Sequence, residues 1–250
     1  MSATDNLDLL LAEIDLLKAD LQLQCAEIDQ ALQQKLDISY SHDSLRLEGG
    51  SLDLAETEMV IKHGLMLPGK PMTDNLTALN HYQAIQFVRE QAAEQNLLSA
   101  SSLQKLHIML SRGLQNQLGG AYRNQSVQLL NDEMAPAAEN IQQLLAEQLQ
   151  WLNREGPFLH PVVFAAEAHL RLLVLQPFQN NNGLCARLIM NLILLGEDYP
   201  IMTIASNTAT KNAYIKAFGH AQTGKPLDWQ CFIAEQIMQN FQNLLRLHAE

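Results

Sequence analysis

The residues best placed to do chemistry lie in one stretch, Leu175-Gln176-Pro177-Phe178-Gln179-Asn180-Asn181-Asn182-Gly183-Leu184-Cys185-Ala186-Arg187. An apolar, helix-like run from His169 leads into Gln-Pro-Phe, then three asparagines and a glycine, and a second apolar run extends from about Leu184 to Leu195. A helix, a tight polar loop and a second helix aim backbone N–H groups at an anion, because the first turn of a helix has unpaired donors and a positive dipole end. Asn and Gly tolerate the left-handed backbone that such a loop needs. The chemistry implied is phosphate binding.

The elements that must position this loop read as helices. Pro161–Leu175 and Leu184–Gly196 are apolar on nearly all sides and predict a buried central pair. Helical periodicity also covers Ala78–Gln95, Ser101–Leu114 and Ala137–Glu155, with a final pair over Thr210–Gln222 and Trp229–His248 split by Gly224-Lys225-Pro226. Residues 7–35 carry a heptad rhythm through Leu7, Leu10, Ile14, Leu17, Leu21, Gln24, Ile28 and Ala31, with Ser2, Thr4 and Asp5 as candidate caps. That helix either packs on its own domain or pairs with a second copy as a homodimer. Gly49-Gly50 stop the next helical stretch, and Asp53 with Glu56 reopens one as a capping box, Ser51 preceding it. Pro68-Gly69-Lys70-Pro71 reads as a loop. Residues 118–131 open on a Gly-Gly pair and alternate around Val127 and Leu129, which predicts a short β-hairpin. The expected fold is mainly all-α with that small flap. Residues 1–38 form an N-terminal helical extension and residues 39–250 the main domain.

Bulk properties exclude several classes. With 16 Lys and Arg against 27 Asp and Glu, the formal net charge is −11. No basic cluster is available for nucleic acid or an anionic membrane surface. Cys25, Cys185 and Cys231 are few, odd in number and far apart, which argues against a disulfide framework or a zinc site. No apolar run approaches the ~20 residues needed to cross a bilayer. With no basic-then-apolar leader at the N-terminus, a cytoplasmic location is expected.

The loop resembles the signature of the Fic (Fido) family, His-Pro-Phe-x-Asp/Glu-Gly-Asn-Gly-Arg-x-x-Arg. The chain keeps Pro177, Phe178, Asn182, Gly183 and Arg187, and has Gln176 for the His, Asn180 for the acid, Asn181 for the first Gly and Leu184 for the first Arg. Further matches are Asn80-His81-Tyr82-Gln83-Ala84, the flap Gly120-Ala121-Tyr122-Arg123 with Val127, and His160-Pro161, Ala165-Ala166 and His169 ahead of the signature. Ser44-Leu45-Arg46-Leu47-Glu48-Gly49 is similar to the family's inhibitory motif Ser/Thr-x-x-x-Glu-Gly/Asn, which places an inhibitory helix at 43–49.

The resemblance implies protein adenylylation, the transfer of AMP from ATP with magnesium to a hydroxyl of a target protein. In active relatives the His is the general base, the acid binds magnesium, the first Arg clamps phosphates, and the inhibitory Glu reaches the second Arg. Asn181, Asn182, Gly183 and Arg187 would then face phosphate, Ser44, Glu48 and Gly49 would form the inhibitory element, and Tyr122, Arg123 and Val127 would meet the target. The altered positions weaken each part. The Gln176 amide has no usable basic site, and losing a positioned base costs about 10²–10⁴ in rate. Asn180 is a neutral, weaker ligand for magnesium, and Leu184 cannot form a bidentate phosphate contact. These losses fall on one catalytic unit and do not simply sum. His169, two turns before Gln176, reads as a core histidine, His160 as a helix anchor and Cys185 as a packing residue. The reading is a degenerate Fic-domain protein that acts as a pseudoenzyme or binding scaffold for an unidentified protein partner. The alternative is a divergent nucleotidyl- or phosphotransferase, or a hydrolase removing AMP, that uses ATP or a related nucleotide.

Overall fold

The computed structural model describes residues 3–24, 28–95, 98–114 and 119–249. Cys25, Ser2 and Leu118 lie outside them. Within them the chain is built from ten α-helices: α1 (Ala3–Gln24), α2 (Gln30–Leu47), α3 (Leu54–His63), α4 (Met72–Ala93), α5 (Ala100–Leu110), α6 (Ile141–Arg154), α7 (Pro161–Leu175), α8 (Asn182–Gly196), α9 (Thr208–Gln222) and α10 (Pro226–Ala249). None is long and apolar enough to cross a membrane.

The centre is the α7–α8 pair, as the all-round apolar pattern predicts. Val162, Ala165, Ala166, Ala186 and Leu188 are wholly buried, and small residues on both helices let the pair approach closely. α7 begins on His160, whose Nδ1 accepts the Val162 N–H, with Pro161 at the first helical position, where its missing N–H costs nothing. Around the pair lie α4 on one side and α10 on the other. Trp229 on α10 is fully buried and donates its indole N–H to the Ala166 carbonyl of α7, 2.7 Å away.

Three expectations need correction. The helix expected over 7–35 is two helices, because Asp29 caps α2 by accepting the Leu32 N–H and so starts a new helix. Thr4 and Asp5 accordingly lie inside the first turn of α1 rather than ahead of it. The expected flap hairpin contains no strand among the described residues. It is a turn over Leu130-Asn131, followed by Asp132 at φ 63° and closed by one antiparallel bridge between Gln128 and Met134. Two ladder bonds are too few to propagate, and Asn124, Gln125 and Ser126 offer no apolar face to bury.

The apolar seam of α1 is used within the chain. Leu7, Ile14 and Leu21 are buried, and α1 packs chiefly on α10. The division drawn at residue 38 falls inside α2, and residues 43–49 are the last turn and C-terminal cap of that helix. Gly49 ends it at φ 91°, a conformation that suits glycine. Asp53 and Glu56 form the expected capping box at the start of α3.

Candidate functional site

The loop between α7 and α8 is set by two left-handed residues. Gln176 ends α7 at φ 45°, and Asn181 caps α8 at φ 60°. Helix α8 therefore starts at Asn182, two residues earlier than the apolar pattern suggests, with its N-terminal N–H groups turned to the loop. Asn182 is the internal brace. Its Oδ1 accepts the Phe178 N–H at 2.9 Å, and its Nδ2 donates to the Phe178 carbonyl at 2.7 Å and to the Gln176 Oε1 at 3.2 Å. The Gln176 side chain is thus tied back into the loop.

Arg123 of the flap holds the loop from outside. Its guanidinium donates to the carbonyls of Leu175 and Gln176, at the C-terminal end of α7, and to those of Gln125 and Pro136. A cation among the last carbonyls of a helix complements their dipole. Arg123 is 4% exposed, so its part is to fasten the flap. Tyr122 stacks on Phe178 at 5.9 Å between centroids, and Tyr122 and Val127 are both half-buried.

His107 on α5 is the residue the sequence reading passed over. Its ring lies flat on Phe178, 3.9 Å between centroids and 3° between planes. Its Nδ1 accepts the Gly120 N–H at 2.9 Å, which leaves Nε2 to carry the proton and donate to the Asn180 carbonyl at 3.2 Å. Burial lowers its pKa to about 4, so the ring stays neutral and keeps this tautomer. One imidazole joins α5, flap and loop. The sequence signal was present, since His107 sits four residues after Leu103 and three before Leu110 on the buried face of α5.

On the other side the loop meets the end of α2. Arg187 on α8 is 1% exposed and directs its guanidinium entirely inward. Nε donates to Ser44 Oγ at 2.8 Å, while Nη2 donates to the Ser44 carbonyl at 2.9 Å and to Glu48 Oε1 at 2.8 Å. Burial is the largest influence and opposes the charge on Arg187, but the Glu48 carboxylate together with Tyr214 and Tyr40 outweighs it and raises the pKa. The Glu48 carboxylate lies directly over Gly183, in the first turn of α8, where a Cβ would overlap its Oε1. Gly183 is thus a position where the missing side chain matters. Ser44, Glu48, Gly183 and Arg187 therefore lie together at one place.

Around Arg187 lies a buried polar layer. His81 and His169 are fully buried, the first bonded to Ser41 and the second to Tyr214. Burial, reinforced by Arg187, lowers the pKa of His81 to about 3 and that of His169 well below its ordinary value. Burial raises the Cys185 thiol well above its usual range, so it is a packing residue and not a nucleophile.

The substituted positions Asn180 and Leu184 are placed differently. Asn180 is exposed and meets the core only through its carbonyl. Leu184 is 1% exposed and, with Leu45, Glu48, Leu52 and Asp74, lines a cavity of about 160 Å³ beside the loop. Pockets that enclose a drug-sized ligand run to roughly 300–1,000 Å³. A cavity of about 350 Å³ lies instead beyond the far end of α8, between Leu98, Phe164, Ile189 and Ile193, and contains no loop residue.

The class, among the described residues, is therefore a helical domain whose central helix pair is joined by a polar turn, with Arg123 of the flap on one side and the Glu48 carboxylate on the other. Residues 97–194 match the model of the Fic/DOC family. The chain is 27% identical over 169 residues to the protein adenylyltransferase Fic of Culex quinquefasciatus, covering 67% of this chain and 34% of that protein. It is 27% identical to the enzyme of the same name from Nematostella vectensis, covering 65% of this chain and 38% of that protein. Its fold matches Fic-1 (residues 134–508) of C. elegans with a TM-score of 0.82 at 20% identity, covering 94% of this chain and 70% of that one. It also matches a Fic-domain-containing signalling protein of Bacteroides thetaiotaomicron with a TM-score of 0.80 at 19% identity, covering 95% and 94%. Residues 97–194 are thus Fic-like in sequence, and the fold around them is that of Fic-domain proteins. It spans about a third of the length of the curated relatives that it matches.

Proposed function

We propose that this chain is a Fic-fold pseudoenzyme, a helical scaffold whose phosphate-binding turn is closed by its own carboxylate. One observation carries the reading. Arg187, the cation retained from the family signature, is buried and spends its donors on Ser44 and Glu48. The Glu48 carboxylate lies over the first turn of α8, where an incoming phosphate would otherwise meet the helix dipole. Seating ATP there requires displacing an internal anion and leaving Arg187 without its partner.

The remaining parts support the same conclusion. The Gln176 amide is bonded to Asn182 and cannot take a proton from a target hydroxyl at neutral pH. The residues present also fit magnesium poorly. Asn180 offers a neutral oxygen from an exposed side chain, Glu48 is paired with Arg187, and Asp74 accepts from the Ser51 N–H and hydroxyl. Incubating the purified chain with labelled ATP, magnesium and a protein extract tests the reading. No AMP transfer above a heat-inactivated control is expected, and transfer that scales with the amount of the chain overturns it.

A second reading, a divergent nucleotidyltransferase or AMP-removing hydrolase, is favoured by one feature. The Glu48 side chain is 39% exposed, so its carboxylate can swing into solvent or orient a water. Calorimetric titration with ATP decides between them. Affinity tighter than millimolar with the native chain supports the second reading, and weaker binding supports the first.

A further inference from the structure

Helix α1 carries a second apolar seam opposite the one buried on α10. Leu9, Leu16 and Leu23 recur at seven-residue spacing and are 58%, 72% and 87% exposed. Ala12 and Ala19 fall three residues after Leu9 and Leu16 and are exposed as well. Large residues at one heptad position and small ones at the next core position make a ridge that a second helix can approach closely. A contiguous apolar ridge of this kind is uncommon on soluble monomers unless it binds something.

The charges beside the ridge select the occupant. At the two flanking heptad positions stand Asp8 and Asp15 on one shoulder and Glu13 and Asp20 on the other, all exposed. The helix's lone cation, Lys18, faces away and donates to the Glu197 carbonyl. A second copy of α1 would set carboxylates against carboxylates in either orientation, since both shoulders are acidic. A partner helix with Lys or Arg beside its own apolar stripe would meet Asp8, Glu13 and Asp20, together with Asp15, whose Oδ1 also lies 3.2 Å from His160 Nε2.

We infer that the outward face of α1 is a docking surface for a basic amphipathic helix of another protein. The inference goes beyond the reading of the Gln176–Arg187 loop and stands whether or not that loop turns over a nucleotide, because α1 packs on α10 and contributes no residue to the loop.

The test uses the full chain and two synthetic helical peptides of 22 residues, the length of α1. Both carry Leu and Ala at the core heptad positions; one has Lys at the flanking positions and the other has Glu. Fluorescence anisotropy should show the Lys peptide binding about tenfold or more tightly than the Glu peptide, with an advantage that shrinks as salt is added. The triple variant Leu9→Ser, Leu16→Ser, Leu23→Ser alters only exposed side chains. It should keep the native circular dichroism spectrum and lose binding of the Lys peptide. Equal affinity for the two peptides overturns the inference, as does binding that the triple variant retains. Sedimentation of the native chain as a dimer that the triple variant dissociates would assign the face to a second copy and overturn it too.

Discussion

Replacing Glu48 with Gln perturbs the closure at one atom and preserves its shape. Arg187 is 1% exposed and keeps its two bonds to Ser44, but it loses a charged acceptor at 2.8 Å. Removing one partner of a fully buried ion pair costs about 3–5 kcal/mol, because the other charge is left uncompensated. Here the Glu48 side chain is 39% exposed, so water can reach the guanidinium and the penalty falls toward the ~1.5–3 kcal/mol of one charge-assisted hydrogen bond. We therefore expect Glu48→Gln to destabilise the chain by about 2 kcal/mol. For a domain of this size that lowers Tm by roughly 4–8 °C. Differential scanning calorimetry of Glu48→Gln, Arg187→Met and the double variant measures the effect and its origin. In the Arg187→Met background the Glu48 substitution should cost almost nothing, giving a coupling of about 2 kcal/mol. A Tm for Glu48→Gln within about 1 °C of the native chain, with additive single and double variants, would show that the pair holds nothing together.

Other outcomes follow from the same geometry. Gly183→Ala should act like Glu48→Gln while leaving the charge of Glu48 in place, because the new Cβ displaces Glu48 Oε1; the Tm losses of the two variants should be less than additive when combined. His107→Ala should cost about 2–3 kcal/mol in urea denaturation by removing the ring on Phe178 and the bonds to Gly120 and Asn180. It should also speed proteolysis within residues 119–136, and an unchanged cleavage rate would contradict the joint we assign to it. Stability should be full above about pH 6.5 and fall toward pH 4. His81, His107 and His169 stay neutral in the fold because burial lowers their pKa values, whereas the unfolded chain takes up protons near 6.5. Each contributes up to about 1.4 kcal/mol per pH unit in that window, and a flat urea midpoint between pH 7 and 4.5 would contradict the neutral assignments.

The loop and the central pair were legible because their signals are local. Pro177, the Asn run and Gly183 specify a turn by backbone preference alone, and α7 and α8 are apolar on all sides because both are surrounded. What stayed hidden depended on partners far away in sequence. The break between α1 and α2 rests on one cap, Asp29, within an apolar rhythm that continues through it. The flap reads as a hairpin because Val127 and Leu129 alternate with polar residues, but its shape comes from Arg123 bonding the end of α7 across about fifty positions. Leu184 is simply a missing arginine in the sequence, and only the fold reveals it as a wall of the small cavity. The seam Leu9, Leu16 and Leu23 was masked by the stronger one at Leu7, Ile14 and Leu21, since both repeat every seven residues on one helix.

The proposed function has a Fic framework surviving here with its reaction disarmed and its turn closed by Glu48. The most direct test is AMP incorporation from labelled ATP by a restored chain, Gln176→His, Asn180→Asp, Asn181→Gly and Leu184→Arg together, with and without Glu48→Gly, beside the native chain. Transfer is expected only from the restored chain that also lacks Glu48, and none from the native protein. Transfer by the native chain, or by the restored chain at the same rate with Glu48 in place, contradicts it.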